Sequence, residues 1–161
     1  MPELLTDDEI VAIAGATGEW FAPLPTVALS DFAEAEPAAE RGARSLAVRE
    51  LLSASHRDGA PLFAGESCAL VQQIIRSPRT AVAYIAERDA PHRLSGGVTV
   101  LAVDDDARAV LDLVSTAGIH DLTAASAAEA EFAFFHFVRG AFELGVDAPP
   151  APDGGRGGGR E

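Results

Sequence analysis

The sequence predicts an α+β fold, a mainly antiparallel sheet flanked by helices. Three observations carry that expectation. Apolar residues recur at helical spacing through the first half of the chain, switch to β-branched, strand-like segments between Thr80 and Val114, and return to helical spacing in a phenylalanine-rich run before Gly145. The acidic stretch Asp104-Asp105-Asp106-Ala107 joins two of the strand-like segments through a loop short enough for a hairpin. A chain of 161 residues is naturally one domain, expected here over residues 1–147. At that size roughly 68–70% of the unfolded surface can be buried without disulfides or a structural metal.

The first element follows from Thr6 and Glu9, which have capping-box spacing. Ile10, Val11, Ile13 and Ala14 then form one side of a short helix that stops near Gly15 or Gly18. Pro23 and Pro25 keep residues 20–30 irregular, and Trp20, Phe21 and Leu24 tack that loop to the core. A long helix is predicted from Glu36-Pro37, with proline in its first turn, to about Ser53. Its stripe is Ala43, Leu46, Ala47 and Leu51, and Arg41, Arg44 and Arg49 lie outward. Residues 56–59 form a turn. A second helix spans about residues 65–76, with Leu70, Val71, Ile74 and Ile75 inward and Pro78 closing it.

Strands are predicted over residues 80–86, 98–103 and 109–114, with a short edge strand over residues 119–123. Residues 98–103 are apolar on both faces, the mark of an interior strand covered on both sides. Ser126 and Glu129 repeat the capping-box spacing and start the last helix, which runs to Gly145. It holds five of the eight phenylalanines: Phe132, Phe134, Phe135, Phe137 and Phe142. Glu129, His136 and Glu143 leave only a narrow polar edge, so burial on two sides is expected, one against the sheet and one against a second subunit. These five phenylalanines are the candidate protein-interface residues. The tail, residues 148–161, is rich in Pro, Gly and Arg and is expected to be disordered.

Composition narrows the function. A net charge of −13 repels phosphate backbones and anionic membrane surfaces, so neither nucleic acid nor membrane is an expected partner. No stretch has the ~20 apolar residues of a membrane span. The N-terminal residues lack the basic and apolar regions of a signal peptide, and a cytoplasmic location is expected. Every basic side chain is Arg and Asn is absent, which points to a GC-rich genome, not to chemistry.

No motif defines a catalytic, cofactor or metal site, and the expectation is a non-enzymatic protein with no cofactor. Gly65-Glu66-Ser67-Cys68-Ala69 echoes a nucleophile elbow and makes a small serine hydrolase an alternative, but the preceding strand is too short, and Ser67 reads better as a helix-starting residue. Asp104, Asp105 and Asp106 lack the glycine and distal glutamate of a calcium loop and read as turn formers. His56, His92, His120 and His136 show no i, i+4 pairing. Cys68 is the single cysteine and reads as a small buried side chain. The arginines at 41–49 suggest a winged-helix regulator as a further alternative, against which stands the apolar run Leu70-Val71-Gln72-Gln73-Ile74-Ile75 where a recognition helix would be polar.

The order of elements resembles the repeat unit of EspG-family proteins, chaperones of actinobacterial type VII (ESX) secretion. The similarity lies in Leu5-Thr6-Asp7-Asp8-Glu9 opening a short helix, the proline-bearing loop, the long helix at 41–52, the short one at 70–78 and the strands from 80 to 114. The resemblance implies a cytoplasmic chaperone or adaptor that masks an apolar tip of helical secretion substrates of the PE–PPE type. The family carries two such units related by a pseudo-twofold axis and this chain has one, a half-length form, which implies a homodimer with an isologous interface. No substrate-binding position is transferred by the resemblance.

Overall fold

In a computed structural model of the chain, residues 3–53 and 62–146 are described, with side chains to Glu143 in the last helix. The turn expected at residues 56–59 and the tail at 148–161 lie outside these residues. The elements are β1 (Leu5–Thr6), α1 (Asp7–Thr17), α2 (Phe32–Val48), β2 (Leu52–Ser53), β3 (Leu62–Phe63), α3 (Glu66–Arg76), β4 (Arg79–Glu87), β5 (Ala90–Val103), β6 (Arg108–Val114), β7 (Ile119–Ser126) and α4 (Ala127–Val146). Five strands form one antiparallel sheet in the order β1-β7-β6-β5-β4, and β2 pairs with β3. The α+β architecture expected from the change of period is the observed one.

The pleat sorts the strands' side chains between two cores. Val100, Ala102, Val110 and Leu122 face a layer made by α1, α2 and α3, with Leu5, Ile10, Ile13, Leu46, Val71 and Ile74 packed among them. Leu101, Val103, Ala109 and Leu111 point the other way, against Ala130 and Phe134 of α4. The interior strand β5 is thus covered on both faces.

Strand β5 starts at Ala90, eight residues ahead of the expected 98, carried there by pairing of Leu94 and Ala90 with Ala86 and Glu87 of β4. Three further boundaries differ from the sequence expectation, each for a local reason. The long helix starts at Phe32, not near Glu36, because Asp31 caps it: its Oδ1 accepts from the Ala33 N–H at 2.9 Å. Pro37 therefore sits inside the helix and not in its first turn. The same helix ends at Val48, not Ser53. Leu51 N–H donates to Leu46 C=O at 2.8 Å and Glu50 N–H to Ala47 C=O at 3.1 Å, closing a Schellman turn with Glu50 at φ 60°. The third difference is β7, which runs on to Ser126 and has its first two residues, Ile119 and His120, covered by the two-residue β1.

Glu50 occupies a left-handed position usually given to glycine, and its side chain is exposed. Glu50→Gly is expected to stabilise the fold by about 1 kcal/mol, a rise of about 2–4 °C in melting temperature. Thermal denaturation followed by circular dichroism checks it; a lower melting temperature would show that the Glu50 side chain matters more than its backbone strain.

The arginines of α2 are only partly outward. Arg44 is exposed beside Glu40, but Arg41 grips the Asp8 carboxylate through Nε (2.7 Å) and Nη2 (2.9 Å). Arg49 Nη1 lies 2.8 and 2.9 Å from the two oxygens of the fully buried Glu9, and its Nη2 donates to Leu4 C=O. Ser45 Oγ and the Thr6 N–H bring the donors on Glu9 to three, at 2.7 and 2.9 Å. Between them Gly42 lets α2 press onto the α1 backbone, for a Cβ there would stand 1.9 Å from the Asp8 carbonyl oxygen. The sequence runs 5–9 and 41–49 are two halves of one joint.

Candidate functional site

Helix α4 begins where the sequence places it. Ser126 Oγ and N–H both donate to Glu129 Oε2, and Ser126 Oγ accepts from the Glu129 N–H at 3.4 Å. The helix crosses the face of the sheet opposite α1–α3, and its five phenylalanines separate by direction. Phe134 is buried against the sheet and Phe137 is half-buried beside β4 and β5. Phe132, Phe135 and Phe142 are 74%, 65% and 72% exposed. An aromatic side chain with most of its surface in water forgoes about 2–3 kcal/mol of burial, so three such rings on one helix are unusual.

Two apolar depressions flank α4. One, about 510 Å³, lies on the solvent face among Phe132, Phe135, His136, Arg139 and Glu143. Arg139 and Glu143 pair at 2.8 Å along its far end, and the His136 ring leans on Phe132 with centroids 6.3 Å apart. The other, about 490 Å³, runs between α4 and β4, where Phe137, Val138, Ala141 and Phe142 face residues 82–86. A broader cleft of about 760 Å³ lies on the opposite side of β4, between the proline-bearing loop and Tyr84, Pro91 and His92.

The residues considered for catalysis are otherwise engaged. Ser67 is buried and its Oγ donates to Glu3 C=O. Cys68 is buried as well, and burial, with Glu9 nearby, pushes its thiol up to about 11. Asp104 closes its hairpin: Oδ1 accepts from the N–H groups of Asp106 and Arg108, and Arg108 Nε meets Oδ2 at 2.9 Å. Among the described residues no three His, Cys, Asp or Glu side chains are grouped as a metal site.

The most concentrated polar group was not foreseen from the sequence. His120, fully buried in β7, lies between two buried carboxylates: Nδ1 is 2.7 Å from Asp112 Oδ2 and Nε2 is 2.8 Å from Asp7 Oδ1. Both neighbours of the ring are carboxylates, so donation by both nitrogens takes the imidazolium. Burial alone would depress the histidine, but the two acids outweigh it and raise its pKa to about 9. Burial also raises Asp112, whose Oδ1 has no hydrogen-bond partner among the described residues. Asp7 ends up below its ordinary value despite burial, held there by His120 and by Thr26, whose N–H and Oγ1 donate to Oδ2 at 2.7 and 2.6 Å. Gly118, at φ 69°, leaves room for the Asp7 carboxylate, which a Cβ would meet at 2.5 Å. Trp20 covers the ring edge-on, with centroids 6.1 Å apart. Sealed from solvent on every side, this triad ties α1 and the proline-bearing loop to the sheet and has no room for a substrate.

Comparison with protein-family models, with characterised proteins and with solved structures returns no match. No helix among the described residues is long and apolar enough to cross a membrane.

Proposed function

We propose that the protein is a non-enzymatic cytoplasmic chaperone or adaptor that holds an apolar helical segment of a secretion substrate on the outer face of α4. The observation that carries this is the exposure of Phe132 and Phe135, one turn apart on a helix whose other side is sheet core. An amphipathic partner helix would place its own apolar stripe over these rings. Arg139 and Glu143 at the end of the patch supply polar groups of both signs for its rim. The element order resembling EspG-family units supports a type VII secretion substrate of the PE–PPE type as the partner class. The arginines engaged with Asp8 and Glu9 weigh against the winged-helix alternative, and the Ser67 hydroxyl bonded to Glu3 against the hydrolase.

Phe135→Asp is expected to lower affinity for a purified PE–PPE-type helical substrate at least tenfold, with the far-UV circular dichroism spectrum unchanged. Charge inserted at the centre of an apolar contact costs about 2 kcal/mol or more. Equal binding by wild type and variant in calorimetric titration, or no binding by either, would refute the assignment of this face.

A further inference from the structure

Strand β4 is a long open edge of the sheet: among the described residues nothing pairs with its outer side. Its sequence is Arg79-Thr80-Ala81-Val82-Ala83-Tyr84-Ile85-Ala86-Glu87, nine residues with a cation at one end, an anion at the other and no charge between. Edge strands of stable monomers are commonly short, or carry an inward charge, a proline or a bulge. β4 has none of these along its middle. The register against β5 is regular from Arg79↔Val103 to Tyr84↔Val98 and then shifts, and the extra residues at the shifts belong to β5, so the outer edge of β4 is uninterrupted.

We infer that β4 pairs antiparallel with β4 of a second copy of this chain, about a twofold axis at Ala83, joining two five-stranded sheets into one. That register follows from charge. It sets Arg79 of each copy opposite Glu87 of the other, at both ends of the contact, and fills the centre with Val82 opposite Tyr84, Ala81 opposite Ile85, and Ala83 opposite itself. A parallel alignment would instead bring like charges together at both ends. Arg79 and Glu87 are both exposed; Arg79 gives one N–H to Asp104 C=O and Glu87 stands 3.7 Å from Arg93, so each keeps capacity for a new partner. Tyr84, 49% exposed, becomes covered, and the groove between β4 and α4 borders the new strand, which brings Phe142 and Phe137 next to the twin's sheet. The contact is isologous and closes on itself, so it ends at two copies. It uses a different side of α4 from the Phe132 and Phe135 patch and stands independently of the substrate reading.

Sedimentation of the full chain at micromolar concentration and physiological salt tests this, and the expected mass is twice 16.7 kDa. Arg79→Glu and Glu87→Arg should each weaken the dimer about tenfold or more, since each replaces two attractive pairs by two repulsive ones. The double variant, with the charges exchanged, should restore it. Tyr84→Lys should also dissociate it, by placing a charge on the edge, while Phe135→Asp should leave the mass unchanged. A wild-type monomer throughout the micromolar range overturns the inference. So does a dimer that is indifferent to the single reversals, or one that the exchanged pair fails to restore.

Discussion

Replacing His120 with alanine is expected to destabilise the fold by about 3–5 kcal/mol, because it removes the imidazolium that now bridges two carboxyl groups inside the protein. Asp7 would keep its Thr26 donors, but Asp112 would lose the one side-chain partner it has among the described residues, where its second oxygen already has none. The wild-type protein should show the same dependence as a function of pH. The folded histidine titrates at about 9 and the unfolded one near 6.5, so its stabilisation is full below about 6.5 and is lost as pH rises through 9. That interval corresponds to about 3 kcal/mol. Asp7 acts at the other end: its pKa is lowered by folding, so its contribution is lost as pH falls through the acid range. Urea unfolding of wild type and His120→Ala between pH 6 and 10 would show a slope in the first that is absent in the second. Parallel curves would mean that the buried histidine is not charged.

Gly42→Ala is expected to cost about 3 kcal/mol, the upper range for overpacking, although it adds a single methyl group. The added carbon would fall 1.9 Å from the Asp8 oxygen and 2.4 Å from its carbonyl carbon, both backbone atoms that cannot rotate away. Helix α2 would have to back off, loosening Arg41 from Asp8 and Ser45 and Arg49 from Glu9 together. A fall of about 6–12 °C in melting temperature is the expected reading. The neighbouring Ala43→Gly, on the same helix without that close approach, should cost only the roughly 1 kcal/mol of helix propensity. Equal losses in the two variants would remove the special role of position 42.

What the sequence disclosed was local chemistry. The two capping boxes, Thr6 with Glu9 and Ser126 with Glu129, mark the starts of α1 and α4, and the β-branched runs locate β4, β5 and β6. The start of α2 was obscured because Pro37 is a strong helix-start signal and Asp31 a quieter one. The length of β7 was obscured by Asp121, Ala124 and Ala125, poor strand formers held there by pairing with β6 along its whole length. The joint between residues 5–9 and 41–49 and the Asp7–His120–Asp112 triad depend on three-dimensional proximity, and no spacing encodes them. One clue was present: Asp112 breaks an otherwise apolar strand, Val110-Leu111-Asp112-Leu113-Val114, and an acid buried there requires a partner. Among the five phenylalanines of α4, spacing could not separate sheet-facing from solvent-facing rings, because the apolar residues run nearly round the helix.

The short strand β1 bears on the order in which the protein takes shape during synthesis. Leu5 and Thr6 pair with His120 and Ile119, and the Asp7–His120 contact spans 113 residues. Leu5 and Thr6 are made before β7 and therefore cannot reach their final partners until that strand has followed them out of the ribosome. Until then α1 can join α2 through Glu9 and Arg49, but the sheet edge that anchors it does not yet exist. Closing so long a loop is entropically costly and is rewarded only when the last sheet strand arrives. The segment between β1 and β7 stays open while it is made, and β1 is fastened only once β7 exists.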